Sequence, residues 1–282
     1  MQQSTILIAG CGDVGSALGQ RLLKKDHNVV GLRRNINQLP SGIQGISTDL
    51  SQIDALTTAV AEQIQCDILV YSVAASQHDE PGYQQAYVEG FKNLLAALPA
   101  TPKHIFFTSS TSVYHQNDSS WVDENSPCEP TGFSGRIMRQ AEQQVLASNV
   151  PATVVRFSGI YGPGRNHLLK RVKRGDVAPE SPDQFSNRIH RDDCAGVLEH
   201  LIAKVLEGES IEQIYLATDD TPATMYEVTH WLSAQMDTPI LSETHSRRAG
   251  SKRCSNQRLR DSGYVMQFCS YQDGYAELLK EL

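Results

Sequence analysis

Within the first fifteen residues an apolar run, Ile6-Leu7-Ile8-Ala9, leads into Gly10-Cys11-Gly12-Asp13-Val14-Gly15, after which Val14, Ala17, Leu18 and Leu22 recur at helical spacing. Strand, glycine turn and helix in this order constrain the fold more than any other segment, because each glycine answers a different steric demand. Gly10 is expected to make the tight turn, Gly12 to let the backbone come close to a pyrophosphate, and Gly15 to let the new helix lie flat on the strand. N–H groups at a helix start suit phosphate charge. The segment therefore predicts a dinucleotide cradle, with Cys11, Asp13 and Val14 completing it between the glycines. Three glycines also serve ordinary turns; the apolar strand before them and the periodic helix after them favour the cradle.

The alternation continues along the chain. Strand-like runs at Asn28–Leu32, Ile68–Ser72, His104–Thr108 and Thr153–Phe157 are interleaved with helical patterns near Asp54–Gln63, Tyr87–Leu98 and Arg136–Ser148. The last of these carries Ile137, Ala141, Val145 and Leu146 along one stripe. Such an order predicts an α/β fold, a Rossmann-like doubly wound parallel sheet with helices on both faces. A helix across Ala195–Leu206, its start marked by Asp192 and Asp193, and a strand near Gln213–Ala217 extend it. Beyond Ala217 the pattern changes. Thr224-Met225-Tyr226-Glu227 has the capping-box arrangement and opens a helix through Trp231 and Leu232, followed by a polar stretch, Ser242–Arg260, and a short helix near Tyr271–Leu279. The expected division is a dinucleotide-binding domain over 1–165 and 187–220, and a smaller C-terminal substrate lobe over 166–186 and 221–282.

Charge narrows the function classes. Against 25 Lys and Arg stand 32 Asp and Glu, a formal charge of −7, which argues against general affinity for nucleic acid or an anionic membrane. No apolar run approaches the roughly 20 residues of a membrane span, and Met1-Gln2-Gln3-Ser4 leads into a strand without a signal-peptide pattern. A cytoplasmic location is expected. The six cysteines form no CxxC pair and the nine histidines form no helix-face pair, so no metal is expected.

Selection of NAD normally uses an acidic side chain at the end of the second strand, roughly 20 residues after the glycines. Here Val29-Val30-Gly31-Leu32 ends on Arg33 and Arg34. Guanidinium groups suit the 2′-phosphate of NADP, so NADP is favoured over NAD. Asp49-Leu50, at the next strand end, either contacts the adenine or caps the following helix, and Ala74, just past the Ile68–Ser72 run, completes the expected cofactor contacts.

Three later segments carry a resemblance: Thr108-Ser109-Ser110-Thr111-Ser112-Val113-Tyr114, then Val155-Arg156-Phe157-Ser158-Gly159-Ile160-Tyr161-Gly162-Pro163-Gly164, then Asn187-Arg188-Ile189-His190-Arg191-Asp192-Asp193. With the glycine loop they cover most of residues 5 to 200, and the chain resembles the extended short-chain dehydrogenase/reductase superfamily, the NAD(P)-dependent epimerase/dehydratase group. Its typical GxxGxxG spacing differs from Gly10, Gly12 and Gly15. The resemblance implies that Ser110 is the catalytic hydroxyl, bonding the substrate carbonyl or hydroxyl, and brings His190 near the substrate cleft. It also implies a tyrosine and, four residues on, a lysine on one helix face. In the register set by Ala141-Glu142 those positions hold Ser134 and Met138. No tyrosine lies between Tyr114 and Tyr161, and no lysine between Lys103 and Lys170. Tyr114 and Tyr161 are expected to shape the pocket. The basic concentration Arg247, Arg248, Lys252, Arg253, Arg258 and Arg260 is either a solvated face or a contact for a phosphorylated or nucleotide-linked substrate. Two readings follow: an NADP-dependent oxidoreductase or epimerase/dehydratase-type enzyme acting on a small polar metabolite, or a non-catalytic NADP-binding sensor. A homodimer is the expected assembly from the frequency of two-fold oligomers.

Overall fold

The computed structural model describes residues 3–61, 65–245 and 250–280. Seven strands form one parallel sheet: β1 (Thr5–Ala9), β2 (Asn28–Arg33), β3 (Gln44–Ser47), β4 (Ile68–Tyr71), β5 (His104–Ser110), β6 (Ala152–Phe157) and β7 (Ile214–Ala217). Their order is β3-β2-β1-β4-β5-β6-β7. The chain moves outward from β1 to β3, returns to pair β4 on the other side of β1, and proceeds outward again. The two directions part between β1 and β4, with Ile6 to Ala9 in register against Ile68 to Tyr71. Ligands of open parallel sheets bind at such a switch point, beyond the carboxyl ends of the strands.

The strands read as continuous apolar runs because both faces are covered. Ile6, Leu7, Ile8, Ile68, Leu69, Val70, Ile105, Phe106 and Phe107 are all fully buried. The helices are α1 (Asp13–Leu23), α2 (Ile53–Ala61), α3 (Glu80–Tyr83), α4 (Gly90–Ala97), α5 (Phe133–Leu146), α6 (His167–Lys173), α7 (Arg191–Leu206), α8 (Met225–Gln235), α9 (Gln257–Asp261) and α10 (Tyr271–Leu279). The end of the helix expected near Asp54–Gln63 lies outside the described residues. The one expected near Tyr87–Leu98 starts earlier, at α3, and runs through a π-helical turn, Gln84–Glu89, into α4. Within that turn the Tyr71 hydroxyl donates to the Ala86 carbonyl at 2.5 Å, and a Cβ on Gly90 would lie 2.7 Å from the same hydroxyl. The Ala86 carbonyl thus has a side-chain donor within a π-bulge, one of the recognised sites of irregularity in a helix.

Contacts divide the chain into two units. The first comprises Met1–Val113, Cys128–Arg156 and Ala195–Tyr215, and the second Tyr114–Pro127, Phe157–Cys194 and Leu216–Leu282. This differs from the boundaries read off the sequence: 114–127, 157–165 and 187–194 group with the C-terminal third. Short non-local ladders are the reason. Gly159 to Tyr161 pair with Arg188 to His190, and Trp121 and Val122 with Arg253 and Cys254. The second unit has its own apolar core, in which Tyr161, Leu169, Val172, Val228, Leu232, Tyr275 and Leu278 pack together. Among the described residues, no helix is long and apolar enough to cross a membrane.

Candidate functional site

In the first unit β1 ends at Ala9 and Gly10 turns the chain with φ 78°, a left-handed conformation that favours glycine. A Cβ on Gly10 would lie 2.5 Å from the Ser72 carbonyl oxygen and 2.6 Å from Val73 Cα. The turn is thus pressed against the exit of β4, at the switch point. A Cβ on Gly15 would meet the Gly10 carbonyl oxygen at 2.9 Å and Ile8 Cγ2 at 3.0 Å, so its absence lets α1 settle onto β1. Gly12 differs: its Cβ would meet only the Gly10 oxygen, at 3.9 Å. The loop backbone there is bare enough for a phosphate to approach, and an α-helix leaves its first N–H groups, here including those of Val14 and Gly15, without intrahelical acceptors. These features fit the pyrophosphate of an NAD(P) cofactor. Asp13 is exposed on the first turn of α1, where its charge suits the helix dipole. Cys11 faces inward, since a Cβ on Gly31 of β2 would meet its sulfur at 3.0 Å, and its contribution to the loop is its backbone.

Arg33 ends β2 half-buried. Its Nη1 donates to the Cys11 carbonyl at 3.2 Å and to the Gln38 carbonyl at 3.5 Å, and its Nη2 donates to the Gln38 side chain. Three of the five guanidinium N–H groups thereby hold the cation against the glycine loop. Arg34 is exposed, and its carbonyl accepts from the Ser47 hydroxyl at 2.9 Å. Asp49 Oδ1 accepts from the Ser51 N–H at 2.9 Å and the Ser51 hydroxyl at 2.8 Å, closing the turn ahead of α2. Those bonds hold its carboxyl below the usual range. The Leu50 carbonyl accepts from Asn93 of α4 at 3.0 Å, and Ala74 is exposed beyond β4, two residues after Ser72.

At the end of β5, alternation sends neighbouring serines to opposite sides. Ser109 is buried and donates to Glu142 Oε1 at 2.6 Å. Ser110 is half-buried, and its Oγ accepts the Ser112 N–H at 3.1 Å, an ST-type turn in which the hydroxyl hydrogen still has a bond to make. A Cβ on Gly135 would lie 2.3 Å from the Ser112 carbonyl oxygen, so the first turn of α5, carrying Ser134, rests directly on the Ser110–Val113 turn. Met138, one turn on, is 4% exposed. Beyond it Glu142, fully buried, also accepts from Arg156 Nε at 2.9 Å and Nη2 at 2.8 Å, and from Arg139 Nη1 at 2.9 Å. This clamp went unnoticed in the sequence, although a signal was present. Glu142 directly follows Ala141 of the apolar stripe, and Arg156 interrupts a buried strand.

In the second unit His190 is buried, its Nδ1 accepting the Asp192 N–H at 3.2 Å, with the Phe268 ring centroid 4.1 Å away. Asp193 Oδ1 accepts from the Tyr264 hydroxyl and the Gln267 N–H, each at 2.8 Å, and Oδ2 from the Phe268 N–H at 3.0 Å. Burial nevertheless pushes its carboxyl up. Tyr161 stacks on Tyr275 at 4.5 Å and Tyr114 is 3% exposed, so both belong to packed interior. Asp219 is buried as well, and desolvation pushes it up to about 8 against the pull of Arg188. Of the basic concentration, Arg247 and Arg248 lie outside the described residues. Arg258 pairs with Glu124 at 3.7 Å and Arg260 with Asp220 at 4.0 Å. No cluster among the described residues is arranged to hold a metal ion.

Known proteins resemble this arrangement along most of the chain. A Methylobacillus flagellatus protein provisionally named an NAD-dependent epimerase/dehydratase is 37% identical with a TM-score of 0.85, over 99% of each chain. The 3-diazoavenalumate denitrifying reductase of a Streptomyces species is 25% identical over a stretch covering 77% of each. Human epimerase family protein SDR39U1 (isoform 2), in a structure with NADPH, shares the fold at 21% identity and a TM-score of 0.79, over 99% of this chain and 100% of that one. The family model for NAD dependent epimerase/dehydratases matches residues 6–176. With the glycine cradle at the switch point of a parallel sheet, the chain belongs to the NAD-dependent epimerase/dehydratase family of extended short-chain dehydrogenases/reductases.

Proposed function

We propose that this protein is an NADP-dependent oxidoreductase acting on a small polar metabolite, with Ser110 orienting the reacting oxygen and without the family's tyrosine–lysine pair. The observation that carries the reading is Arg33, whose guanidinium is held on the Cys11 carbonyl of the cofactor loop. An NAD-selecting carboxylate would stand at that strand end; a cation there suits a 2′-phosphate. Arg34, next along, adds charge. Gly10, Gly12 and Gly15, with the backbone of Cys11, Asp13 and Val14, would hold the pyrophosphate, while Asp49, Leu50 and Ala74 border the cofactor. The Streptomyces relative is named a reductase and the human neighbour holds NADPH, and both accord with this reading.

The nicotinamide, when bound, supplies or accepts hydride. Ser110 donates its hydroxyl hydrogen to the substrate oxygen while its own oxygen stays fixed by the Ser112 amide. Ser134 cannot replace a phenol without a neighbouring base, and Met138 holds no charge. The proton is therefore supplied by a substrate group or by water. The test is hydride exchange between NADPH and a panel of carbonyl and sugar substrates. Ser110→Ala is expected to lower turnover about a hundredfold or more with NADPH affinity unchanged, and turnover equal to wild type would refute the assignment. The apolar burial of Met138 favours a second reading, a cofactor sensor. Its signature is unequal affinity for NADPH and NADP⁺ with no turnover on any substrate.

A further inference from the structure

A carbonyl reduction needs a proton, and neither Ser134 nor Met138 is suited to deliver one. The first unit holds four tyrosines. Tyr71, Tyr87 and Tyr215 are buried with their hydroxyls on the backbone: Tyr71 donates to the Ala86 carbonyl, while Tyr87 and Tyr215 accept the Ala75 and Glu212 N–H groups. Tyr83 differs. It is half-buried, and its hydroxyl lies 3.1 Å from Nδ1 of His78, whose ring is exposed.

The pair is fixed from two elements. The Asp79 carboxylate caps α3 by accepting the Gly82 N–H at 2.8 Å, and the Tyr83 N–H donates to the Asp79 carbonyl at 3.1 Å. Phe133, the first residue of α5, packs on both rings, its centroid 5.3 Å from that of Tyr83 and 5.4 Å from that of His78. Phe133 directly precedes Ser134, and Gly135 is pressed on the Ser112 carbonyl. One turn of α5 therefore carries the Tyr83–His78 pair and the Ser110 turn together. The Tyr87 ring, 5.2 Å from that of Tyr83, joins the pair to the segment leaving β4 through its bond to Ala75. Tyr83 also stands where the helix enters its π-helical turn, an irregularity frequent at functional sites.

We propose that Tyr83 and His78 form a proton relay, in which Tyr83 protonates the water that serves the substrate oxygen and His78 restores the Tyr83 proton from solvent. This rests on the oxidoreductase reading and traces its proton to a source. As the carbonyl carbon accepts hydride from the nicotinamide, the carbon–oxygen π pair moves to the oxygen held by Ser110. That oxygen takes a proton from the water, the water takes the Tyr83 hydroxyl proton, and Tyr83 takes the Nδ1 proton of the His78 imidazolium. The exposed ring, left neutral, is reprotonated by solvent, an exchange that histidine makes near neutral pH. One hydride and one proton are added in all. The elements packed on His78 are α3 and α5, and their charges there are engaged: Asp79 caps α3, Glu80 pairs with Arg136 at 3.5 Å, and Arg139 pairs with Glu142 at 2.9 Å.

The test measures NADPH oxidation by wild type, Tyr83→Phe and His78→Gln, with diacetyl, methylglyoxal and dihydroxyacetone as carbonyl probes. Each variant should lower kcat about a hundredfold with KM and NADPH affinity unchanged. Phenylalanine keeps a ring against Phe133, and His78→Gln, at an exposed position, keeps the test valid if Tyr83→Phe loses stability. Wild-type kcat should fall as pH rises from about 6 to about 8, and the His78→Gln profile should be flat there; a packing role would leave both profiles alike. In the protein without substrate, histidine nitrogen NMR should show the His78 Nδ1 resonance move on Tyr83→Phe. Wild-type kcat in both variants, a pH profile common to wild type and His78→Gln, or an unmoved Nδ1 resonance overturns the relay and leaves the oxidoreductase reading standing. Reduction of no probe by wild type with NADPH bound refutes that reading and the relay that rests on it.

Discussion

Glu142 gathers four donors from three places: Ser109 on β5, Arg139 one turn earlier on α5, and Arg156 on β6 through two bonds. Removing one side of a buried ion pair strands the other, so Glu142→Ala should cost about 3–5 kcal/mol in denaturant unfolding. Glu142→Ala combined with Arg156→Met should recover part of that loss, because no fully buried charge is then left unpaired, Arg139 being partly exposed to water. Arg33 makes a different prediction. Arg33→Ala should weaken NADPH about tenfold or more while leaving NADH nearly unchanged, as follows from losing one charge-assisted contact to a 2′-phosphate; equal losses for both would show that Arg33 only shapes the loop. Arg33 could be singled out in the sequence because the end of the second strand is where NAD is normally told from NADP. Glu142 and Arg156 left only a faint trace, a charge beside an apolar stripe and a charge within an apolar strand, which does not say that the two meet until the packing of α5 on the sheet is known.

At the scale of elements, the β1–glycine turn–α1 unit is set by backbone contact. An alanine at position 10 must take a left-handed φ, costing about 1–2 kcal/mol, and must displace the Ser72 carbonyl. Gly10→Ala should therefore abolish cofactor binding and lower stability together, whereas Gly12→Ala should reduce binding with the fold intact, as isothermal titration and thermal melts would separate. The Thr224 hydroxyl accepts from Glu227 N–H at 3.1 Å and the Glu227 carboxylate accepts from Thr224 N–H at 2.7 Å; Thr224→Ala should cost about 1 kcal/mol. Both elements were readable because glycine spacing and capping boxes are local chemistry. The pairs Trp121–Arg253 and Gly159–Arg188 were not, as strands of two or three residues carry no periodicity.

Across the whole molecule, the sheet order follows from the alternation of apolar runs and helices, while the division into units follows from ladders that join distant segments. Each unit also carries its own pH response. In the first, burial lowers His104 to about 4 from 6.5, so its contribution is present above the unfolded pKa and is lost as pH falls from 6.5 toward 4. In the second, Asp219 is raised to about 8 from 3.8, so its contribution is full below 3.8 and is lost as pH rises toward 8. Asp219→Asn should thus gain stability over wild type between about pH 5 and about pH 9, and a melting temperature difference that does not grow with pH would contradict this. The family takes an NAD(P) dinucleotide, and under the proposed function the Arg33 cation at the end of β2 selects NADP. The most direct measurement is the affinity of the wild-type protein for NADPH and NADH, by titration at one ionic strength. NADPH should bind about tenfold or more tightly than NADH, and equal affinity, or a preference for NADH, would contradict the account.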